Sequence, residues 1–178
     1  MVDPAGFRLR DGREVLIRHI RPSDEEELRA FVRRLSPESR RLRFFGPIHD
    51  LPQQMAYRLS HVDGHERAAV VATLPGDDAI RGVARYDRID DSTVEGAFTV
   101  EDSMQGQGLG TELLWRLAEW AQGHGYRRLR AFVLPENRAM LDMFQHCGIP
   151  CSIRREPGQV KVDLELGEGM VQPRFGQG

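Results

Sequence analysis

Apolar positions recur along this 178-residue chain with two different periods, and the changes between them predict its elements. Residues 14–21 alternate, with Val15 and Ile17 on one side and Leu16 and Ile20 on the other, as a strand requires. Pro22 ends it. Ser23 with Glu26 three residues later reads as a capping box. Leu28, Phe31, Val32 and Leu35 then share one face of a helix. Ser36 and Pro37 begin a second helix that runs through Leu42 towards Gly46, and a third short one is expected over 51–59. Strands are predicted over 67–74, 80–87 and 93–100. The turns between them are Pro75-Gly76-Asp77-Asp78 and Asp90-Asp91-Ser92, too short to join anything but antiparallel neighbours. Residues 109–122 return to helical spacing through Leu109, Leu113, Leu117, Trp120 and Ala121, with Glu112 and Arg116 as an exposed pair one turn apart. A strand over 129–134, a helix over 135–147 and a hairpin of 152–155 with 159–166 complete the pattern. Together these elements give an α/β (α+β) fold with a mixed, mostly antiparallel central sheet of about six to seven strands flanked by helices. Residues 1–167 form its single domain, and 168–178, glycine-rich with little to pack, are expected to be a flexible tail.

Composition narrows the function. Hydrophobic residues make up 40% and charged residues 29%, with mean hydropathy −0.48, which fits a core surrounded by water. No apolar run approaches the ~20 residues of a membrane span, and residues 1–10 lack the apolar centre of a secretory signal. A cytoplasmic location is expected, with no membrane partner. A net charge of −2 removes the basic bias of a nucleic-acid binder. Of 25 basic residues only Lys161 is lysine; the others are arginine. Cys147 and Cys151 are too few for a disulfide framework or a four-cysteine zinc site. His61 and His65 are four apart, but Asp63-Gly64 between them reads as a turn, so no metal site is expected.

The most informative stretch lies where the strand over 93–100 gives way to the long helix. Gln105, Gly106, Gln107, Gly108, Leu109, Gly110 and Thr111 place three glycines at a helix start. Glycine lets the main chain come close to a ligand, and the unpaired amides of a first helical turn favour an anion such as a diphosphate. There is no Gly-Lys-Ser/Thr ending of a P-loop and no Gly-x-Gly-x-x-Gly of a dinucleotide fold.

Gln105, Gly108 and Gly110 match in register the Arg/Gln-x-x-Gly-x-Gly/Ala signature of the GNAT acyltransferase superfamily, which the sequence resembles. Asn137 leading a helix and Gly148 eleven residues later resemble that family's downstream segment. Phe144 stands where many members carry tyrosine, and Ile149 replaces the usual phenylalanine. A narrower resemblance is to the bacterial Pat-type protein lysine acetyltransferases. It rests on 35–46, which includes Leu35-Ser36-Pro37-Glu38-Ser39, and on Val62-Asp63 followed by Glu66-Arg67-Ala68.

The resemblance implies the GNAT fold and acetyl-CoA as acyl donor, with no metal. Acetyl-CoA would lie on Gln105, Gly106, Gln107, Gly108, Leu109, Gly110 and Thr111. Phe98 and Val100 would offer main-chain groups to its pantetheine arm, and Asn137 and Phe144 would flank it. Val100 N–H becomes the candidate oxyanion donor, and Glu95, a charged residue in an otherwise apolar strand, the candidate general base. Glu95 is expected to be sheltered, and Glu101 and Asp102 to be solvated turn carboxylates. The implied reaction is direct acetylation of a lysine on a protein partner such as an acyl-CoA synthetase. A small-molecule or peptide amine as acceptor, or an acyl-CoA-binding module without turnover, are the alternatives. Phe144 cannot donate a proton to the leaving thiolate, so that proton must come from water or from the departing ammonium.

Overall fold

A computed structural model describes residues 4–173. Its eight strands are β1 (Ala5–Arg8), β2 (Glu14–His19), β3 (Arg67–Thr73), β4 (Ile80–Arg88), β5 (Thr93–Val100), β6 (Arg128–Val133), β7 (Cys151–Glu156) and β8 (Gln159–Glu165). They form one sheet in the order β1-β2-β3-β4-β5-β6-β8-β7. Five helices cover it: α1 (Glu25–Arg34), α2 (Pro37–Phe44), α3 (Gln53–Ser60), α4 (Leu109–Gly123) and α5 (Arg138–His146). Every pairing is antiparallel except β5 with β6, which α4 connects.

The alternation of side chains sorts the core into two layers. Ala68, Val70 and Ala72 of β3 pack with Leu113 and Leu117 of α4, whereas Ala69 and Val71 pack with Leu28, Phe31 and Val32 of α1. A strand covered on both sides must be apolar throughout, which is why 68–72 reads as an unbroken hydrophobic run.

Several sequence expectations need correction. Strand β1 makes eight strands rather than six to seven; it is four residues long, with half of its positions exposed. The first capping box is not Ser23 with Glu26. Pro22–Asp24 form a short 3-10 helix, and the Asp24 carboxylate accepts from the Arg21 amide (2.7 Å) and from both terminal nitrogens of Arg18 (2.7 and 2.8 Å). Arg18 and Asp24 are both buried, so their fork satisfies two charges that water no longer reaches. Glu112 does pair with Arg116 (2.7 Å), yet it is buried rather than exposed, and its other oxygen accepts from Gln172 (3.0 Å). The expected loose tail lies partly outside the described residues; its described part makes contacts. The Val171 amide donates to the Gly148 carbonyl (2.7 Å), and Met170 packs on the core of the α4 layer.

Candidate active site

The site exists because two strands part. β5 and β6 pair at only three positions, Thr93 with Arg128, Val94 with Leu129 and Glu95 with Arg130. Beyond Glu95 each follows its outer neighbour, β5 with β4 as far as Val100 opposite Gly82, β6 with β8 as far as Val133 opposite Val160. Gly96 stands at the fork, where a Cβ would fall 2.8 Å from Leu129 Cδ2 and 3.1 Å from the Phe98 ring. Only glycine fits there without moving those side chains.

The phase of the β4–β5 ladder decides which main-chain groups face the opening. The Ile89 amide donates to the Thr93 carbonyl (2.9 Å) and the Glu101 amide to the Arg81 carbonyl (2.8 Å). Bonded pairs alternate with non-bonded ones in an antiparallel ladder, so Phe98 and Val100 turn their N–H and C=O away from β4 and into the gap. Gln105 takes up the Val100 carbonyl through its side-chain amide (2.9 Å) and also reaches Ser39 Oγ (3.3 Å). Phe98 N–H, Phe98 C=O and Val100 N–H stay available to an extended ligand.

At the end of β5 the chain passes through a second short 3-10 helix, Asp102–Met104, and enters α4. Gly106 and Gly108 adopt φ of 73° and 89°, conformations a side chain would strain, and Gly108 is the N-cap of α4. Among the described residues, no main-chain amide from Gly106 through Thr111 has a hydrogen-bond partner. Six consecutive donors at the positive end of a fifteen-residue helix suit a diphosphate.

Parted strands, glycine turn, α2 and α5 enclose a cleft of about 600 Å³. Phe98, Val100, Gln105, Gly106, Gly108, Gly110, Thr111, Asn137 and Phe144 all line it. Leu109 does not, since its side chain is buried in the α4 layer and only its amide faces out. Gln107 is likewise outside the wall; its carbonyl accepts from the Arg10 amide (3.1 Å) and anchors the loop. Asn137 caps α5 by accepting from the Met140 amide (3.2 Å). Phe144 is 0% exposed and meets Phe98 edge-on at 5.7 Å, an apolar backing with no polar atom. The residues fit acetyl-CoA: free amides for the diphosphate, a strand edge for the pantetheine amides, an apolar wall beyond.

The acids fall out differently from the sequence expectation. Glu95 is exposed rather than sheltered, because it precedes the fork and lies on the opposite side of β5 from Phe98. It makes no hydrogen bond or ion pair among the described residues, and it stands one residue outside the cleft wall, which begins at Gly96. Asp102 is exposed, as expected of a turn carboxylate, but Glu101 is not. Glu101 is 5% exposed and accepts from Arg34 (2.7 Å), Arg81 (2.9 Å) and Ser103 (3.1 Å). Burial opposes its charge, but these hydrogen bonds outweigh burial and hold its carboxyl below the usual range. Asp102 accepts from the Ser36 amide (3.0 Å), Ser36 Oγ (2.8 Å) and Ser39 Oγ (3.0 Å), tying the start of α2 to the loop after β5. Sequence reasoning missed this pair of anchors. The signal available was the acid pair directly after an apolar strand, with arginines and serines to match it elsewhere.

Among the described residues no group of histidines, cysteines and acids is placed to hold a metal, and no helix is long and apolar enough to cross a membrane.

Comparison with known proteins agrees with this geometry. Residues 29–149 match the Acetyltransferase (GNAT) family. The chain is 35% identical over 152 residues to Acetyltransferase PA5475 of Pseudomonas aeruginosa, covering 84% of this chain and 81% of that protein. The GNAT domain of S. lividans PAT superposes with a TM-score of 0.85 at 34% identity, covering 92% of this chain and 97% of that one. A cAMP-binding acyltransferase from Mycobacterium smegmatis matches 96% of this chain with a TM-score of 0.68 and 25% identity, and the chain spans 49% of that protein.

Proposed function

Because the chain belongs to the GNAT acetyltransferase family and is an acetyl-CoA-dependent N-acetyltransferase, we propose that its acceptor is a lysine side chain of a protein, such as an acyl-CoA synthetase. The observation that carries this reading is the position of Glu95: a solvent-facing carboxylate at the fork where the cleft begins. A base at the mouth serves an amine that arrives on a surface too large to enter. The near full-length likeness to the GNAT domain of S. lividans PAT supports the same acceptor.

Each residue then has a task. Free lysine has a pKa near 10.4 and reaches the site as ammonium. Glu95 accepts its proton, directly or through one water, and exposes the lone pair. Val100 N–H donates to the carbonyl oxygen as it gains negative charge, pre-aimed by the ladder that turns it into the gap. The amides of Gly106, Gln107, Gly108, Leu109, Gly110 and Thr111 hold the diphosphate, and Phe98 pairs with the arm between. Asn137 fixes the start of α5 at the cleft, and Phe144 closes the site to water without donating a proton. The leaving thiolate, with a pKa near that of cysteine at about 8.5, takes its proton from water or from the new ammonium.

Glu95→Gln tests the assignment. The expected result is a fall in kcat of about 10²–10⁴-fold with unchanged acetyl-CoA affinity by calorimetry. Unchanged turnover removes Glu95 from the mechanism, and absence of any heat with CoA removes the cleft from it.

A further inference from the structure

On the α1 side of the sheet, register sets three rows across β3, β4 and β5: Arg67-Asp87-Glu95, Ala69-Arg85-Ala97 and Val71-Val83-Thr99. Arg85 therefore lies between two alanines, with no acid beside it. It is only 6% exposed, and its one hydrogen bond among the described residues goes from Nη2 to the Leu59 carbonyl (3.0 Å), at the end of α3. The nearest acid on its strand, Asp87, is held by Arg67 (3.0 Å) and approached by Arg58 (4.0 Å). From above, α2 brings in Arg43, which has no hydrogen bond or ion pair among the described residues and whose guanidinium lies 4.8 Å from the Phe44 ring centre.

A buried charge is normally paired, yet Arg85 is buried with no carboxylate partner, and Arg43 near it is half-buried. Burial pushes the Arg85 guanidinium down to about 9, with Arg43 adding to the push; burial drives Arg43 down as well. A guanidinium keeps its proton, so the two arginines present positive charge that Asp87 and Glu95 offset without a direct hydrogen bond to either. Both arginines and Thr99 line a small cavity of about 20 Å³, room for one or two water-sized groups. Arg43 and Thr99 line the large cleft too, so the cavities adjoin at the acyl-transfer end. Glu95 is two residues from Ala97 on the same face, roughly 7 Å along the strand.

We propose that Arg43 and Arg85 form a carboxylate subsite for the acceptor, so that the preferred lysine has an aspartate or glutamate beside it. The planar guanidinium fork matches a carboxylate, and the cavity is too small for a phosphate. This inference rests on acetyl transfer as read above and adds the acceptor's chemical class.

Short peptides containing one lysine flanked by Glu, Gln or Arg, assayed with acetyl-CoA by thiol release, test it. Free glutamate and glutamine form a second arm. The wild type is expected to favour the Glu over the Gln peptide by at least about tenfold in kcat/KM, the effect of one charge-assisted pair. Arg43→Gln should erase that preference and Arg43→Glu should shift it towards the Arg peptide, a reversal that loss of packing does not produce. Arg43 carries the variants because Arg85 is buried and holds the Leu59 carbonyl, so its loss would cost folding. Equal rates on all three peptides overturn the subsite and leave lysine acetylation standing. Acetylation of free glutamate over glutamine, with no peptide modified, keeps the subsite and overturns the protein acceptor. No acetylation of any member, with acetyl-CoA bound, overturns both.

Discussion

Replacing Glu101 by glutamine removes one negative charge from beneath three donors while keeping the side chain's shape. The carboxylate joins α1 through Arg34, β4 through Arg81 and its own loop through Ser103, next to Val100. Hydrogen bonds to a charged group contribute about 1.5–3 kcal/mol each. Arg34 and Arg81 keep a third and a fifth of their side-chain surface in water, so screening reduces that figure. One of the two contacts also survives with a neutral amide. The expected net loss is about 2 kcal/mol at pH 7, or roughly 4–8 °C in Tm for a domain of this size. The pH dependence has a definite sign. The folded pKa of Glu101 is depressed, so its contribution is complete above the unfolded value of about 4.3 and is lost as pH falls towards the folded pKa. Urea unfolding of wild type and variant, followed by the fluorescence of Trp115 and Trp120, should show a constant gap from pH 7 to about 5 that narrows below about 4. A gap under about 0.5 kcal/mol at pH 7, or one that persists at pH 3, refutes the reasoning.

Two further substitutions probe the frame around the cleft. Gly148→Ala places a Cβ 1.8 Å from the Val171 carbonyl oxygen at a φ of 85°, so it should cost at least about 1–2 kcal/mol and release the segment after Gly167 to limited proteolysis; a protease-resistant, equally stable variant contradicts the docking of Val171. Gly96→Ala forces Leu129 and Phe98 apart at the fork. It should cost about 1–3 kcal/mol as an overpacked site does and weaken acetyl-CoA binding in calorimetry, whereas wild-type affinity would show that the fork tolerates a side chain.

Most of the scaffold was readable in advance because its signals are local. Ser36 before Pro37 does cap α2, its Oγ accepting from the Ser39 amide (3.1 Å), and the glycines before Leu109 do open α4. What escaped was set by distant partners. Nothing near Glu101 or Glu112 reveals that Arg34, Arg81 or Gln172 will arrive to bury them. The period of β5 allows Glu95 either face, and only the register with Asp87 and Arg130 places it in the open. The arginine pair was hidden in the same way. Arg43 lies in a helix and Arg85 in a strand forty-two positions later, and only the assembled fold brings them to one cavity.

An unpaired strand usually advertises itself to other chains and invites aggregation. In this molecule the exposed rim of β5 is an interior one, sunk between α2 and α5 and framed by strands that are paired on their far sides. The cleft of about 600 Å³ beside it gives room for a slender flexible thread. The sheet thus parts where a small-molecule strand could pair with it, and such pairing should stiffen both halves of the molecule at once.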